Sequence, residues 1–307
     1  MFTRHKRILL LCGVLLLVGG FIQIVWNSVS TPGVHSSPFA CTSFAVYAER
    51  TLYGMNFDYS DVAVRFTIRS KGDLKVFQME FQQEDIFLPT VGMNSEGFFA
   101  SLQMLFPEME YTESSGEDEV YTGQLFGESL FRFNTVGEVN EFIRDKRVIH
   151  WYMTLHSLFA DTLGDAMIVE PGDRENDITR IENNFIVMTN FPVGQFRGRS
   201  YTEVEGSGAK RYKTAYQHIL DHFETFDLNR ALETLEKSVL TTENFSTQCS
   251  MVFDPEGGEV FIALKRDFKR IWKVSLGGGT IKTYSGFDEV RKLPLDSLGV
   301  LASEIVE

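Results

Sequence analysis

An apolar run from Ile8 to Trp26, about 19 residues long, stands directly behind Arg4, His5, Lys6 and Arg7. Gln23 is its only strongly polar member. A helix of that length nearly spans a bilayer and exceeds the usual apolar core of a cleaved secretory signal. Residues 1–26 therefore read as a signal peptide or a signal-anchor, with the basic flank in the cytoplasm and the remainder exported. A buried core helix is the competing reading; the terminal position, the basic flank and the loop-like stretch that follows argue against it. Residues 27–40, rich in Ser, Thr, Pro and Gly, read as a linker or pro-segment. The folded domain must then be built from residue 41 onward, so residues 41–307 are expected to form one domain.

That remainder is acidic. The whole chain carries a net charge of −13, and without the first 40 residues 26 basic side chains face 42 acidic ones. Such a surface repels phosphate backbones, so no nucleic-acid partner is expected. The acidity otherwise does no more than keep a chain soluble. Cys12 lies in the apolar run, which leaves Cys41 and Cys249 in the body, too few for a disulfide scaffold. One Cys41–Cys249 bridge is conceivable. No CxxC or HExxH pattern occurs and the six histidines are scattered, so no metal or other cofactor is expected.

No internal repeat is evident. Short β-type runs dominate: Ser43–Ala48, Val64–Arg69, Leu74–Phe81, Ala166–Glu170, Phe185–Thr189, Ser250–Phe253 and Val260–Leu264. The series Thr135-Val136-Gly137-Glu138 reads as a capping box that opens a helix to about Arg147. Further helices are expected over Ala209–Phe223 and Leu228–Val239. Tyr111–Tyr121 reads as an exposed acidic loop, and Gly277-Gly278-Gly279 as a turn. Strands and helices in separate blocks point to an α+β fold, and no glycine-rich phosphate loop is present.

Cys41 carries the chemistry if it becomes the N-terminal residue. Its thiol and a free α-amine then share one residue, with ordinary pKa values of about 8.5 and about 7.7–8.0. The amine can accept the thiol proton, so one residue supplies nucleophile and base. Ala40 suits a signal-peptidase cut just before Cys41, whereas Pro38 does not. Ser37-Pro38-Phe39-Ala40-Cys41 is a poor lipobox, and a lipid on Cys41 would block the amine.

Cys41-Thr42-Ser43-Phe44-Ala45-Val46-Tyr47, followed by Leu52-Tyr53-Gly54-Met55-Asn56-Phe57-Asp58-Tyr59, resembles the start of the choloylglycine hydrolase and penicillin V acylase family. This family of N-terminal nucleophile hydrolases includes acid-ceramidase-like relatives. The likeness continues in order. Gly92-Met93-Asn94-Ser95-Glu96-Gly97 is similar to the family's Gly-Met-Asn hairpin. Val187-Met188-Thr189-Asn190-Phe191-Pro192 is similar to its Thr-Asn-x-Pro segment, preceded by His156, Asp161 and Ala166–Glu170. Ala209-Lys210-Arg211-Tyr212 resembles a helix start, and Thr247-Gln248-Cys249-Ser250-Met251 a late core strand.

The resemblance implies a four-layer αββα sandwich of two antiparallel sheets. It implies hydrolysis of a linear, non-peptide amide through a thioester on Cys41. Penicillin V, N-acyl amino acids and N-acyl homoserine lactones would be substrates of this kind; bile salts fit less well. Asp58 would hold the α-amine over the thiol, Asn190 would donate to the oxyanion, and Arg211 would support the nucleophile. Asn56 could brace the second strand. Each also has a plain structural reading: Asp58 and Asn190 as turn residues, Arg211 as a solvated helix charge. Two departures stand out. The family's Arg on the second strand is Met55 here, and its second oxyanion Asn is missing near Gln103, whose amide could substitute. Phe98, Phe99, Phe106, Phe126, Phe131 and Phe133 fall where the family builds its acyl pocket, although core packing explains them equally well. Cys249 reads as a small buried hydrophobe.

The expected partner is a small-molecule N-acyl amide. Membrane contact would come through the N-terminal segment alone, on the outer face of the cell, and a homo-oligomer is compatible with this reading. Two rivals stand beside the hydrolase: a surface-tethered binding protein with impaired catalysis, and an acyltransferase using the same acyl-enzyme.

Overall fold

Alternate residues of a strand point to opposite faces, and a strand covered on both faces loses the polar alternation of a surface strand. The first strand is such a case. In the computed structural model, β1 (Ala40–Tyr47) is buried along almost its whole length. Thr42 reaches a helix on one face, and Ser43 reaches the second sheet on the other. The structure describes residues 40–109, 116, 118–150, 153–172, 174–242 and 244–306. The signal or anchor expected over 1–26, and the linker over 27–40 apart from Ala40, lie outside the described residues. Among the described residues no helix is long and apolar enough to cross a membrane.

The first sheet has eight strands, all antiparallel, in the order β12 (Phe185–Met188), β1, β2 (Thr51–Tyr59), β13 (Ser246–Asp254), β14 (Glu259–Leu264), β15 (Ile271–Ser275), β16 (Thr280–Ser285) and β17 (Lys292–Pro294). The second is also eight-stranded and antiparallel. It runs β11 (Asp177–Arg180), β10 (Ala166–Glu170), β9 (Leu155–Ala160), β6 (Phe99–Met104), β5 (Ile86–Asn94), β4 (Leu74–Gln83), β3 (Val64–Lys71) and β18 (Val300–Leu301). A short parallel pair, β7 (Glu119–Tyr121) and β8 (Arg147–Ile149), stands apart.

The two large sheets pack face to face through aromatic side chains. Phe253 meets Phe99 and Phe77 at ring-centroid distances of 4.9 and 6.0 Å, and Tyr53 meets Phe99 at 5.1 Å. Helices cover both outer faces. The helices α1 (Thr122–Arg132) and α2 (Val136–Ile143) bury Leu125, Phe126, Leu130, Val136 and Val139 against Phe98, Ala100 and Phe159 of the second sheet. The helices α3 (Ala209–His222) and α4 (Leu228–Lys237) cover the first sheet, with Ala215, Ile219, Ala231 and Leu235 buried. The order is helix, sheet, sheet, helix, which is the α+β sandwich expected.

Most expected elements appear within a few residues of their expected limits. The capping box is formed: Thr135 accepts from the N–H of Glu138, whose side chain bonds back. That helix ends at Ile143 rather than near Arg147, because Arg147–Ile149 is taken up in pairing with β7. The helix α1 had no expectation; Tyr121 precedes it with no side-chain cap, and Gly123 and Gly127 lie within it. The phenylalanines expected near an acyl pocket divide. Phe98, Phe126, Phe131 and Phe133 belong to the core beneath α1 and α2, on the far face of the second sheet. Phe99 and Phe106 belong to the main core, which fills the space between the two sheets.

Candidate active site

The site gathers at one end of the sandwich, where β1 begins. In the register of β1 and β2, Cys41 lies opposite Phe57 and Thr42 opposite Asn56. Cys41, Ser43 and Phe57 therefore face the second sheet, while Thr42, Asn56 and Asp58 face α3 and α4. A bulge in β13 between Thr247 and Cys249 completes the wall. Residues two apart normally share a face, but the extra residue, Gln248, shifts the phase. Thr247 thus stands beside Asp58, and Cys249 beside Phe57.

Asn190 follows β12 and is fully buried. Its Oδ1 accepts from the main-chain N of Cys41 at 3.0 Å and from Arg211 Nη2 at 2.7 Å. With the oxygen fixed by two donors, the amide nitrogen must point the other way. Nδ2 donates to Met104 O at 2.8 Å, which uses one of its two hydrogens.

Arg211 occupies the first turn of α3 and ties the site together. Nη1 donates to the Cys41 carbonyl oxygen, to Thr42 Oγ1 at 3.0 Å and to Asp58 Oδ2 at 3.3 Å. Gly208, just before the helix, has φ +78°. A Cβ there would come within 2.9 Å of both Arg211 Nη2 and Thr189 Oγ1. Only glycine meets both the left-handed backbone and the close approach.

Asp58 is fully buried and accepts from Thr247 Oγ1 at 2.5 Å. Burial raises its pKa to about 7, against the opposing pull of Arg211 and of the Thr247 hydrogen bond. Cys41 is 1% exposed. Burial pushes its thiol up to about 12, and the Asp58 carboxylate adds to this; the Asp58 main-chain N–H and Arg211 pull the other way. With Ala40 still attached, the Cys41 nitrogen is a peptide N–H and cannot serve as a base. In this chain the nitrogen bonds Asn190 rather than Asp58, the partner expected for the released amine.

The remaining candidates lie at the margins. Asn56 donates from Nδ2 to Leu235 O at 2.8 Å and braces β2 against α4, on the face away from the thiol. Gln103 is buried on β6. In the amide orientation that satisfies both ends, it accepts from Ser43 Oγ at 2.5 Å and donates to Thr189 O at 3.2 Å. It links the two sheets behind Asn190. Met55 is buried between Ser43 and Met251 across the strands. Cys41 and Cys249 are both free thiols flanking Phe57 from opposite sides. Two strand spacings put their Cα atoms about 9.6 Å apart, beyond the reach of a disulfide. Among the described residues no cluster of three His, Cys, Asp or Glu side chains could hold a metal.

Sequence reasoning passed over Gly208, the Asp58 contact of Thr247, and the inter-sheet contact of Ser43. A glycine three residues before the matched Arg was a usable signal for the first. The other two depend on register between distant strands.

No family model and no curated protein matches the chain. Solved structures do. A mutant conjugated bile acid hydrolase from Clostridium perfringens superposes with a TM-score of 0.62 at 16% identity, over 84% of this chain and 97% of that one. A second variant of that hydrolase gives 0.62 at 17%, over 84% and 98%. Penicillin V acylase from Agrobacterium tumefaciens gives 0.60 at 18%, over 85% and 100%. The chain therefore has the fold of these proteins, as the resemblance implied.

Proposed function

We propose that this chain is an amidohydrolase that cleaves a linear, non-peptide amide through a thioester on Cys41, after Cys41 has been released as the N-terminal residue. The observation that carries this reading is the orientation of Asn190. Its amide oxygen is held by the nitrogen of the nucleophilic residue and by Arg211, which leaves one Nδ2 hydrogen for a developing oxyanion. The fold shared with a bile acid hydrolase and a penicillin V acylase supports the reaction class.

In the first half-reaction the α-amine takes the thiol proton, and the thiolate adds to the amide carbonyl carbon. The oxyanion faces Asn190 Nδ2. The ammonium returns its proton to the leaving nitrogen as the C–N bond breaks, and the acyl group remains on sulfur. In the second, water gives a proton to the amine and adds to the thioester carbonyl. The C–S bond breaks, the acid leaves, and the thiol is restored. Arg211 holds the Cys41 carbonyl oxygen throughout, and Asp58 holds Arg211. Suitable substrates are N-acyl compounds such as penicillin V, N-acyl amino acids or N-acyl homoserine lactones. The apolar segment at 8–26 supports export and a site on the outer face of the cell membrane.

A screen of such amides against the processed protein, with Cys41→Ala as control, tests the proposal. Release of free acid by the processed protein alone is the expected result. Met55 favours a second reading, a tethered binding protein, because it supplies no positive charge beside the thiol. Tight binding of an N-acyl amide without turnover would support that reading. Transfer of the acyl group to an added amine would instead identify an acyltransferase.

A further inference from the structure

A buried pair, His156 on β9 and Glu170 at the end of β10, has no part in the reaction described above. Both side chains are at most 2% exposed and both face the space between the sheets. His156 Nδ1 and Glu170 Oε1 are 2.9 Å apart, and His156 Nε2 lies 2.7 Å from Thr189 O. Glu170 also accepts from the main-chain N–H groups of Val193 at 3.1 Å and Gly194 at 3.0 Å.

The donor count decides one proton. Thr189 O can only accept, so Nε2 must carry a hydrogen. The proton between Nδ1 and Oε1 can sit on either atom without altering that. Burying an ionisable pair is costly unless its polar atoms are used; here Nδ1 and Oε1 meet each other, and Nε2, Oε1 and Oε2 are engaged on a single stretch of chain. That stretch, 189–194, leaves the edge strand and turns at Pro192. Val193 N and Gly194 N take their partners from the pair, and Thr189 O takes from it the nearer of its two, His156 Nε2 at 2.7 Å against the Gln103 amide at 3.2 Å. Asn190 lies inside the clamp, and its N belongs to the same peptide unit as Thr189 O. On its other side Phe106 N donates to Asn190 O at 2.8 Å.

We infer that His156 and Glu170 are positioning residues that set the aim of the Asn190 amide through the Thr189 carbonyl. This rests on the hydrolase reading for its consequence in catalysis, but not for its geometry.

Two substitutions separate positioning from bulk stability. His156→Gln places an amide N–H near the position of Nε2 and retains the bond to Thr189 O. His156→Asn places one near Nδ1, retains the Glu170 contact and loses Thr189. Both remove the ring and should lower stability alike. An acylating probe at Cys41 builds an oxyanion, whereas iodoacetamide builds none. Loss of an oxyanion donor slows acylation about 100–1,000-fold, so misaiming one should cost roughly 10–100-fold. The expected result is that His156→Asn slows acylation by that factor with alkylation unchanged, and His156→Gln restores most of the rate. Equal loss of both reactions, or equal rates in the two variants, would overturn the inference.

The side-chain amide resonance of Asn190, followed by selective nitrogen-15 labelling of the full chain, reads the geometry without catalysis. It should move in His156→Asn and stay in His156→Gln. If the native protein is not acylated at all, the hydrolase reading fails, while this resonance still decides the positioning: an unmoved signal in His156→Asn refutes it.

Discussion

The main-chain nitrogen of Cys41 donates to Asn190 Oδ1 at 3.0 Å across 149 residues of sequence. One bond therefore both locates the Cys41 nitrogen and turns the Asn190 amide, and under the proposed function Nδ2 is then the end left to meet a substrate. Asn190→Ala should reduce acylation of Cys41 about 100–1,000-fold, a loss of about 3–4 kcal/mol at the transition state. Alkylation by iodoacetamide should change far less. A single-turnover comparison of the two reagents checks this, and equal losses would mean that Asn190 only supports Cys41.

Gly208→Ala tests the link between backbone and Arg211. The added Cβ meets Arg211 Nη2 and Thr189 at 2.9 Å in a backbone with φ +78°. Strain of this kind costs about 1–3 kcal/mol, and Arg211 must withdraw from Asn190 or Cys41. Stability by urea unfolding should fall by that amount, and kcat should fall more than 10-fold. Native turnover in a destabilised variant would show that Arg211 is dispensable.

Asp58 gives a pH dependence of definite sign. Its carboxyl ionises at about 7 in the fold and at an ordinary value of 3.8 in a free chain. Between these limits the folded state holds a proton that the unfolded state has lost, so stability falls as pH rises from about 4 to about 7 and is level above. The contribution amounts to at most about 4 kcal/mol. In Asp58→Asn this slope should vanish. Urea midpoints at pH 4.5 and 8 for both proteins measure the difference, and an identical pH response would refute the assignment.

Much of this architecture was legible in short patterns. Ala166–Glu170, apolar up to its last residue, and the apolar run Val260–Leu264 are long enough for strands, and the Thr135–Glu138 box marks a helix start. The helix α1 was not legible because it lacks a capping side chain and contains two glycines. Its Phe126, with Phe98 and Phe133, looks the same in sequence whether it lines a pocket or fills a core; only the face of the sheet decides. At the site, Cys41, Asp58, Asn190 and Arg211 stood out through short motifs, and the structure brings all four together. The Asp58 contact of Thr247 was hidden by a bulge that no periodicity signals. His156 and Glu170 fell within the matched segments, but their contacts were hidden because three of their partners are main-chain atoms.

Met55→Arg would place a cation at a fully buried position between Ser43 and Met251. A lone charge there has no carboxylate on either neighbouring strand position, and stability should fall by roughly 3 kcal/mol or more. Chemical denaturation reads this directly. A variant as stable as the parent, with faster acylation, would show that this position accepts the arginine that the resemblance implies there.

The proposed hydrolysis requires Cys41 to act as a free N-terminal nucleophile. In the uncut chain its thiol is pushed up to about 12 and no amine is available, so it should be inert near neutral pH. Intact mass and N-terminal sequencing of the isolated protein, before and after an acylating thiol probe, decide this. The expected result is a chain that begins at Cys41 and gains one acyl group there. A chain that retains residues before Cys41, or bears a lipid on it, and reacts no faster than Cys41→Ala would contradict it.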